Sequence, residues 1–421
     1  MGEGLDRGPL PAMTVKHVHV LGAGLAGLAA ALDLSDAGVA VTIHEAGPAA
    51  GGRCRSYVDR ELGIRIDNGN HLLLSGNRSA WRFLERVGSR ETMGGPRRPL
   101  FPFADVSSGE RWAVRPNPGR LPWWILSRGR RVPGTSARDY LALLRLRRAS
   151  ASATVDQVLP PGALRTRLLD PFSIAALNTQ PEEGSARLLG AVVDESLSLG
   201  GEACVPSFPR EGLSESFIDP ALALLRAAGA EIRFRARVAR LGFGGDRVTS
   251  IDDRPMGADE AVVVATPAPI AAALVPDLVV PDKFEAIVNV HYRVDVDGGE
   301  AGFVGLVGGL AEWAFAKPGV ASVTISAANR LAALSNEAIA QQCWDEVATV
   351  FGLNEPQPPS RVLREKRATF AATPEQERRR PSARTMVHNL VLAGDWSRTG
   401  LPATIEGAIR SGNAAATQLL T

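Results

Sequence analysis

One run of about thirty residues near the beginning constrains this chain most. His17–Leu21 (HVHVL) is a short β-branched run that leads directly into GAGLAG, placing Gly22, Gly24 and Gly27 in a GxGxxG spacing. A helix-favouring stretch, LAGLAAALDLSDAG, ends at Gly38, and VAVTIHE then forms a second strand closed by Glu45. This is a complete βαβ unit. Gly22 permits the tight turn, Gly24 lets the backbone approach a pyrophosphate, and Gly27 lets helix and sheet pack closely. The helix N-terminus offers unpaired N–H groups and partial positive charge to phosphates. Glu45 lies where a carboxylate can accept hydrogen bonds from a ribose diol. A glycine pattern alone is weak evidence, but strand, glycines, helix, strand and terminal acid together point to a bound dinucleotide.

The fingerprint does not separate NAD from FAD. The next residues do: in EAGPAAGGRCRS (45–56), Gly51, Gly52 and Arg53 resemble the flavin-binding signature of the amine oxidase and phytoene desaturase superfamily. That resemblance implies a backbone crossing near the pyrophosphate, with Arg53 adding charge and Arg55 a second candidate; a surface turn with two exposed arginines is the alternative. Far along the chain, VLAGDWSRTGLPATIEGAIRSGNAAA (391–416) reads as strand, turn, loop and a helix beginning near Pro402. It is similar to the superfamily's C-terminal flavin motif. The similarity implies that Gly394 admits the ribityl chain, that Asp395 bonds its hydroxyls, and that the backbone at Thr404 and Ile405 faces the pyrimidine ring. Between these motifs, AEIRFRARVARL (230–241) reads as two strand pieces whose Val238 resembles an adenine-contacting position. AVVVATP (261–267) reads as a buried parallel strand.

The expected fold class is therefore α/β: a Rossmann-like FAD-binding domain of the glutathione reductase type, with an inserted α+β substrate domain. Residues 14–75, 212–275 and 385–421 are expected to form the first, and 76–211 and 276–384 the second, with 1–13 a tail. A length of 421 residues accommodates both. A formal charge of +2 implies no general polyanion-binding surface and no nucleic-acid partner. Cys54, Cys204 and Cys343 lie too far apart for a disulfide framework or a zinc site, so a cytoplasmic, reduced compartment and no metal are expected. The longest apolar stretch, 261–276, is broken by prolines and shorter than the ~20 residues that span a bilayer. Tryptophans, aliphatics and arginines mix in LPWWILSRGRR (121–131), and the basic amphipathic run YLALLRLRR (140–148) follows. They suit either an ordinary packed helix or peripheral contact with the inner face of the cytoplasmic membrane. The charged run PEQERRRP (374–381) reads as a solvated loop or helix end.

One segment narrows the superfamily. LLDPFSIAALNTQPEEGSARLL (168–189), with DNGNHLLL (67–74), FPREGL (208–213) and DWSRTGLPATIEGAIRS (395–411), resembles the hydroxysqualene dehydroxylase family, the squalene-associated FAD-dependent desaturases. The resemblance spans nearly all of 17–412. It implies non-covalent FAD, a lipophilic isoprenoid substrate (12-hydroxysqualene) and its reduction to squalene with loss of water, with the electron donor left open. It also implies an apolar tunnel with few polar groups and a buried acid whose pKa desolvation raises. Asp67, His71, Asn178 and Glu182 are the candidate catalytic groups. Each has a bland reading: Asp67 fixing a turn, His71 a hydrogen-bonded structural residue, Glu182 a helix-start acid. The rival functions are a carotenoid (phytoene-type) desaturase, a flavin amine oxidase, and a prenyl-binding protein without redox chemistry. The amine oxidases of the superfamily place a lysine near the flavin.

Overall fold

The computed structural model describes residues 15–421. The expected tail, 1–13, lies outside the described residues. His17–Leu21 becomes the central strand of a five-stranded, all-parallel sheet. The order across it is 231–233, 40–44, 17–21, 260–264, 390–392, so the sheet is built from the beginning, middle and end of the chain. Strand alternation sends Val18 and Val20 to one face, where Leu28, Ala29 and Leu32 of the helix Leu25–Asp36 cover them. The long C-terminal helix, Ile405–Leu420, packs on that same helix so closely that a Cβ on Gly412 would stand 2.2 Å from the Ala26 carbonyl oxygen. On the opposite face Leu21, Val262, Val264 and Leu392 join a core with the three-stranded antiparallel sheet of 241–255.

A second, seven-stranded sheet runs in the order 360–370, 284–292, 320–325, 313–317, 303–307, 101–105, 111–114. The helix Asn336–Phe351 covers its outer face, burying Val288, Val290, Tyr292 and Val323 against Ile339, Trp344 and Val347. The other face turns toward loop 67–71.

Four local expectations need correction. The last helix starts at Ile405, not near Pro402, because the Thr404 hydroxyl accepts the Gly407 N–H at 3.0 Å and caps it there. Of the two strand pieces expected in 230–241, Glu231–Arg233 pairs in the parallel sheet, and the second shrinks to Leu241, the first residue of the strand Leu241–Gly244. Arg235 then takes a left-handed φ of 55°, and the Arg235 and Ala236 N–H groups donate to the carbonyls of Gly47 and Glu45. Val238 follows this turn, half-buried. Of the two tryptophans in 121–131 only Trp123 is exposed; Trp124 is buried against Tyr140, with ring centroids 5.1 Å apart. Finally, the charged run 374–381 forms a short helix, Pro374–Arg378, and then turns Arg380 fully inward.

Candidate functional site

The glycine turn takes the form its sequence predicted. Gly22 has φ of 109°, and a Cβ there would lie 2.7 Å from the Ala265 carbonyl oxygen. The helix from Leu25 has no side-chain cap and no acid in its first turn, so its first N–H groups stay free for an anion. A Cβ on Gly24 would meet open space. Gly51 closes onto this turn, its N–H donating to the Ala23 carbonyl at 2.8 Å, and Gly51 and Gly52 both have positive φ. Glu45 receives the N–H groups of Ala23 at 2.9 Å and Gly47 at 2.7 Å, which fixes its carboxylate at the strand end. Uncapped N–H groups, open space at Gly24 and a fixed acid fit a dinucleotide.

The two distant motifs meet. Arg53 donates to Asp395 Oδ1 at 2.7 Å and to the Ala368 carbonyl, while Arg55 is left to bond the Gly52 carbonyl near the surface. Gly394 has φ of 147°, and a Cβ there would overlap Trp396, whose indole N–H is held by the Thr266 carbonyl at 2.9 Å. Arg380 holds this turn from inside, donating to the carbonyls of Asp395 and Ser397 and to Thr399 Oγ1. Its guanidinium stacks 4.8 Å over Phe370. Thr404 and Ile405 stand at the mouth of the helix that follows.

Above the glycine turns, loop 67–71 meets the inner face of the seven-stranded sheet. Cross-strand register puts Asn289 beside Thr324 and His291 beside Ser322, then Trp313 and Phe315 beside these, with Lys317 further along the same strand face. Asp67 is buried, accepting from Ser56 Oγ at 2.6 Å, the Leu213 N–H at 2.8 Å and the Lys317 ammonium at 2.5 Å. Asn70 bonds Thr324, and its Oδ1 has no partner among the described residues. His71 lies in this group; burial lowers its pKa to about 4, with Asp67 pulling upward and Lys317 and Arg53 pushing down, so its imidazole is neutral at pH 7. His291 is lowered to about 4 for the same leading reason, and its Nδ1 bonds Ser322. Beside this polar end the face is aromatic: Trp313, Phe103, Phe303, Phe315 and Phe208 form a chain with centroids 5.6–6.4 Å apart.

Of the four candidate catalytic groups, the structure brings together only Asp67 and His71. Asn178 sits in a left-handed helix-terminating turn and spends its side chain on Thr369 Oγ1 at 2.9 Å, the Glu285 carbonyl and the Ala327 N–H at 2.6 Å. Glu182 is exposed, with Asp170 as a charged neighbour. An exposed carboxylate lacks the desolvation expected of a proton-donating acid. The carboxyls that burial does raise, Asp170, Glu285 and Glu312, were not among those expected. Lys317 and Arg380 were missed. Lysine is scarce here, with only four in the chain, and that scarcity was the one available signal for Lys317.

The chain is 47% identical over 403 residues to the hydroxysqualene dehydroxylase of Zymomonas mobilis, covering 94% of this chain and 97% of that protein. This chain belongs to the hydroxysqualene dehydroxylase family. The profile of the flavin containing amine oxidoreductases also matches residues 25–294 and 312–420, so this dehydroxylase-family chain is a flavin-dependent oxidoreductase. A crystal structure of an oxidoreductase from Methanosarcina mazei has the same fold, with a TM-score of 0.69 at 16% identity, covering 94% of this chain and 99% of that one. The carotenoid alternative fares differently. A probable zeta-carotene desaturase of Synechococcus elongatus matches at 39% identity over 77 residues, only 18% of this chain and 16% of its own. No helix among the described residues of the family member is long and apolar enough to cross a membrane.

Proposed function

We propose that the protein is an FAD-dependent hydroxysqualene dehydroxylase, converting the allylic alcohol 12-hydroxysqualene to squalene and water. The observation that carries the chemistry is the frontier on the inner sheet face, where the Lys317–Asp67 pair and neutral His71 adjoin an aromatic wall. The wall suits a polyisoprenoid chain, and its ring faces favour positive charge developing at an allylic carbon. Hydroxide is a poor leaving group, so the oxygen must gain a proton as the C–O bond breaks. The Lys317 ammonium, held by Asp67, gives the proton to the departing hydroxyl, and the neutral His71 offers an N–H that binds and orients it. Asp67, saturated with donors, positions Lys317. Asn178 brackets a helix to the sheet and Glu182 faces water, so neither acts on substrate. Reduced flavin, when bound, supplies the hydride.

The cofactor groups are Gly22, Gly24, Gly27, Gly51 and Gly52 with the uncapped helix for the pyrophosphate, Glu45 for the ribose and Val238 for the adenine. Arg53, Gly394 and Asp395 serve the ribityl and phosphate region, and Thr404 with Ile405 serves the ring. Non-covalent attachment is supported by the thiols: all three cysteines are buried, which pushes Cys204 up to about 12 and raises Cys54 and Cys343 as well. Anaerobic incubation of the reduced holoprotein with 12-hydroxysqualene should give squalene with oxidation of the flavin. Oxidation of a polyene with no squalene formed would instead establish a desaturase.

Peripheral contact with an anionic membrane, at the cytoplasmic face, supplies the substrate. Leu121 is 81% exposed, Leu126 70%, Leu141 58% and Trp123 52%, interleaved with Arg128, Arg130, Arg131, Arg138 and Arg145. The protein should sediment with vesicles containing anionic lipid, and the double substitution Leu121→Glu, Leu126→Glu should abolish this while leaving flavin content unchanged. Equal sedimentation of the variant would refute the patch.

A further inference from the structure

Three of the six histidines in the chain, His17, His19 and His44, gather on one face of the parallel sheet. It is the face turned away from the helix Leu25–Asp36, and the proposed redox chemistry does not use it. His17 and His19 project together because they alternate along one strand, and register places Glu260 directly beside His17 on the next strand. His17 Nδ1 lies 3.3 Å from Glu260 Oε1, and His19 Nε2 lies 3.8 Å from Glu260 Oε2. The three donor atoms all fall within 4.8 Å of one another.

We propose that His17, His19 and Glu260 bind a divalent transition-metal ion, with zinc the best fit. Two imidazoles and one carboxylate are a donor set that zinc accepts, leaving a coordination position for water. Donors around zinc at about 2.1 Å stand roughly 3.0–3.4 Å apart, so the His17–Glu260 pair already has that spacing, and the full set, now within 4.8 Å, closes on an ion by side-chain movement of up to about 1.5 Å.

The neighbours of the imidazoles strengthen the case. A ligating histidine needs its second nitrogen held, which fixes both tautomer and ring orientation. Here His17 Nε2 meets Thr42 Oγ1 at 2.9 Å, and His19 Nδ1 meets His44 Nε2 at 3.1 Å. With the imidazole N–H donating in each of these contacts, His17 Nδ1 and His19 Nε2 face the site as lone pairs once the ion takes the place of the His17–Glu260 hydrogen bond. The nearby cation Arg233 is held by both oxygens of Glu231, at 2.6 Å each, and Lys16 pairs with Asp259 at 3.6 Å, so neither charge is left uncompensated beside the ion. Side-chain exposures of 28% for His17 and 24% for Glu260 give the ion a path from solvent. The site ties strand 17–21 to strand 260–264 at the end of the sheet opposite Gly22, so the ion would brace the nucleotide-binding sheet and take no part in the redox step.

The test uses untagged holoprotein, stripped with a chelator and titrated with zinc by calorimetry and with cobalt by visible absorption. One ion per chain, a rise in thermal midpoint and cobalt d–d bands are expected. Glu260→Gln and His17→Ala should each weaken zinc binding at least about tenfold, and Thr42→Val, which touches no metal, should weaken it less. Flavin absorbance should persist in all three variants, which separates loss of the site from loss of the fold. No zinc uptake, or uptake equal in the wild-type and variant chains, would overturn the proposal.

Discussion

Lys317 and Asp67 are both nearly inaccessible, at 10% and 3% side-chain exposure, so each charge depends on the other. Removing one partner of such a pair leaves the survivor uncompensated and costs about 3–5 kcal/mol. Lys317→Met should therefore lower unfolding stability by about that amount. Asp67→Asn added to it should restore much of the loss, because no buried charge then remains. Denaturant titration checks both, and additive losses would mean that the two side chains do not interact. His71 and His291 give the pH dependence. Each titrates near 4 in the folded chain against an ordinary value of 6.5. Between those values the unfolded chain binds protons that the native chain refuses. Stability is thus fully present above about pH 6.5 and falls as the pH drops toward 4, by up to about 3 kcal/mol for each buried imidazole. His291→Asn, which keeps a hydrogen-bonding group for Ser322, should flatten that slope in urea melts at several pH values. An unchanged slope would show that His291 titrates normally.

Among the local elements, the turn 394–399 is held by a side chain outside itself, Arg380. Its carbonyls at Asp395 and Ser397 converge on the Arg380 guanidinium, and Arg380 is tied in turn to Glu377 Oε2 at 2.6 Å. Arg380→Met keeps the bulk over Phe370 but leaves those carbonyls and Glu377 without their donor. Each unsatisfied buried acceptor costs about 1–3 kcal/mol. The variant should purify with markedly less flavin and a lower thermal midpoint. Full flavin occupancy would mean that the turn holds its shape without Arg380. The run PEQERRRP was read as solvated because composition counts charges but does not say which one points inward. The short helix Pro374–Arg378 settles that by turning the chain back over Phe370.

For the molecule as a whole, the decisive contact is Arg53 with Asp395, residues 342 positions apart in one ion pair at the proposed flavin site. A double-mutant cycle on Arg53→Met and Asp395→Asn, read as flavin dissociation constants, should be strongly non-additive, because either change alone already breaks the shared bond. Additive effects would place the two residues on separate parts of the cofactor. The cradle was legible because its pieces are contiguous: a turn needing Gly22 and a strand ending in Glu45 write their requirements into adjacent residues. The family was legible for the same reason, through the run 168–189. Yet Asn178 at the heart of that run serves as a structural bracket, since a motif records that a residue matters without saying to what. The Asp67–Lys317 pair, the inward turn of Arg380, and the meeting of His17, His19 and Glu260 were not legible. Each joins segments whose approach is set by sheet order and register. Local backbone preference and hydrophobic period act over a few residues and so are carried by the chain alone, whereas which charges share a dry pocket depends on burial. Burial exists only once the distant strands have packed.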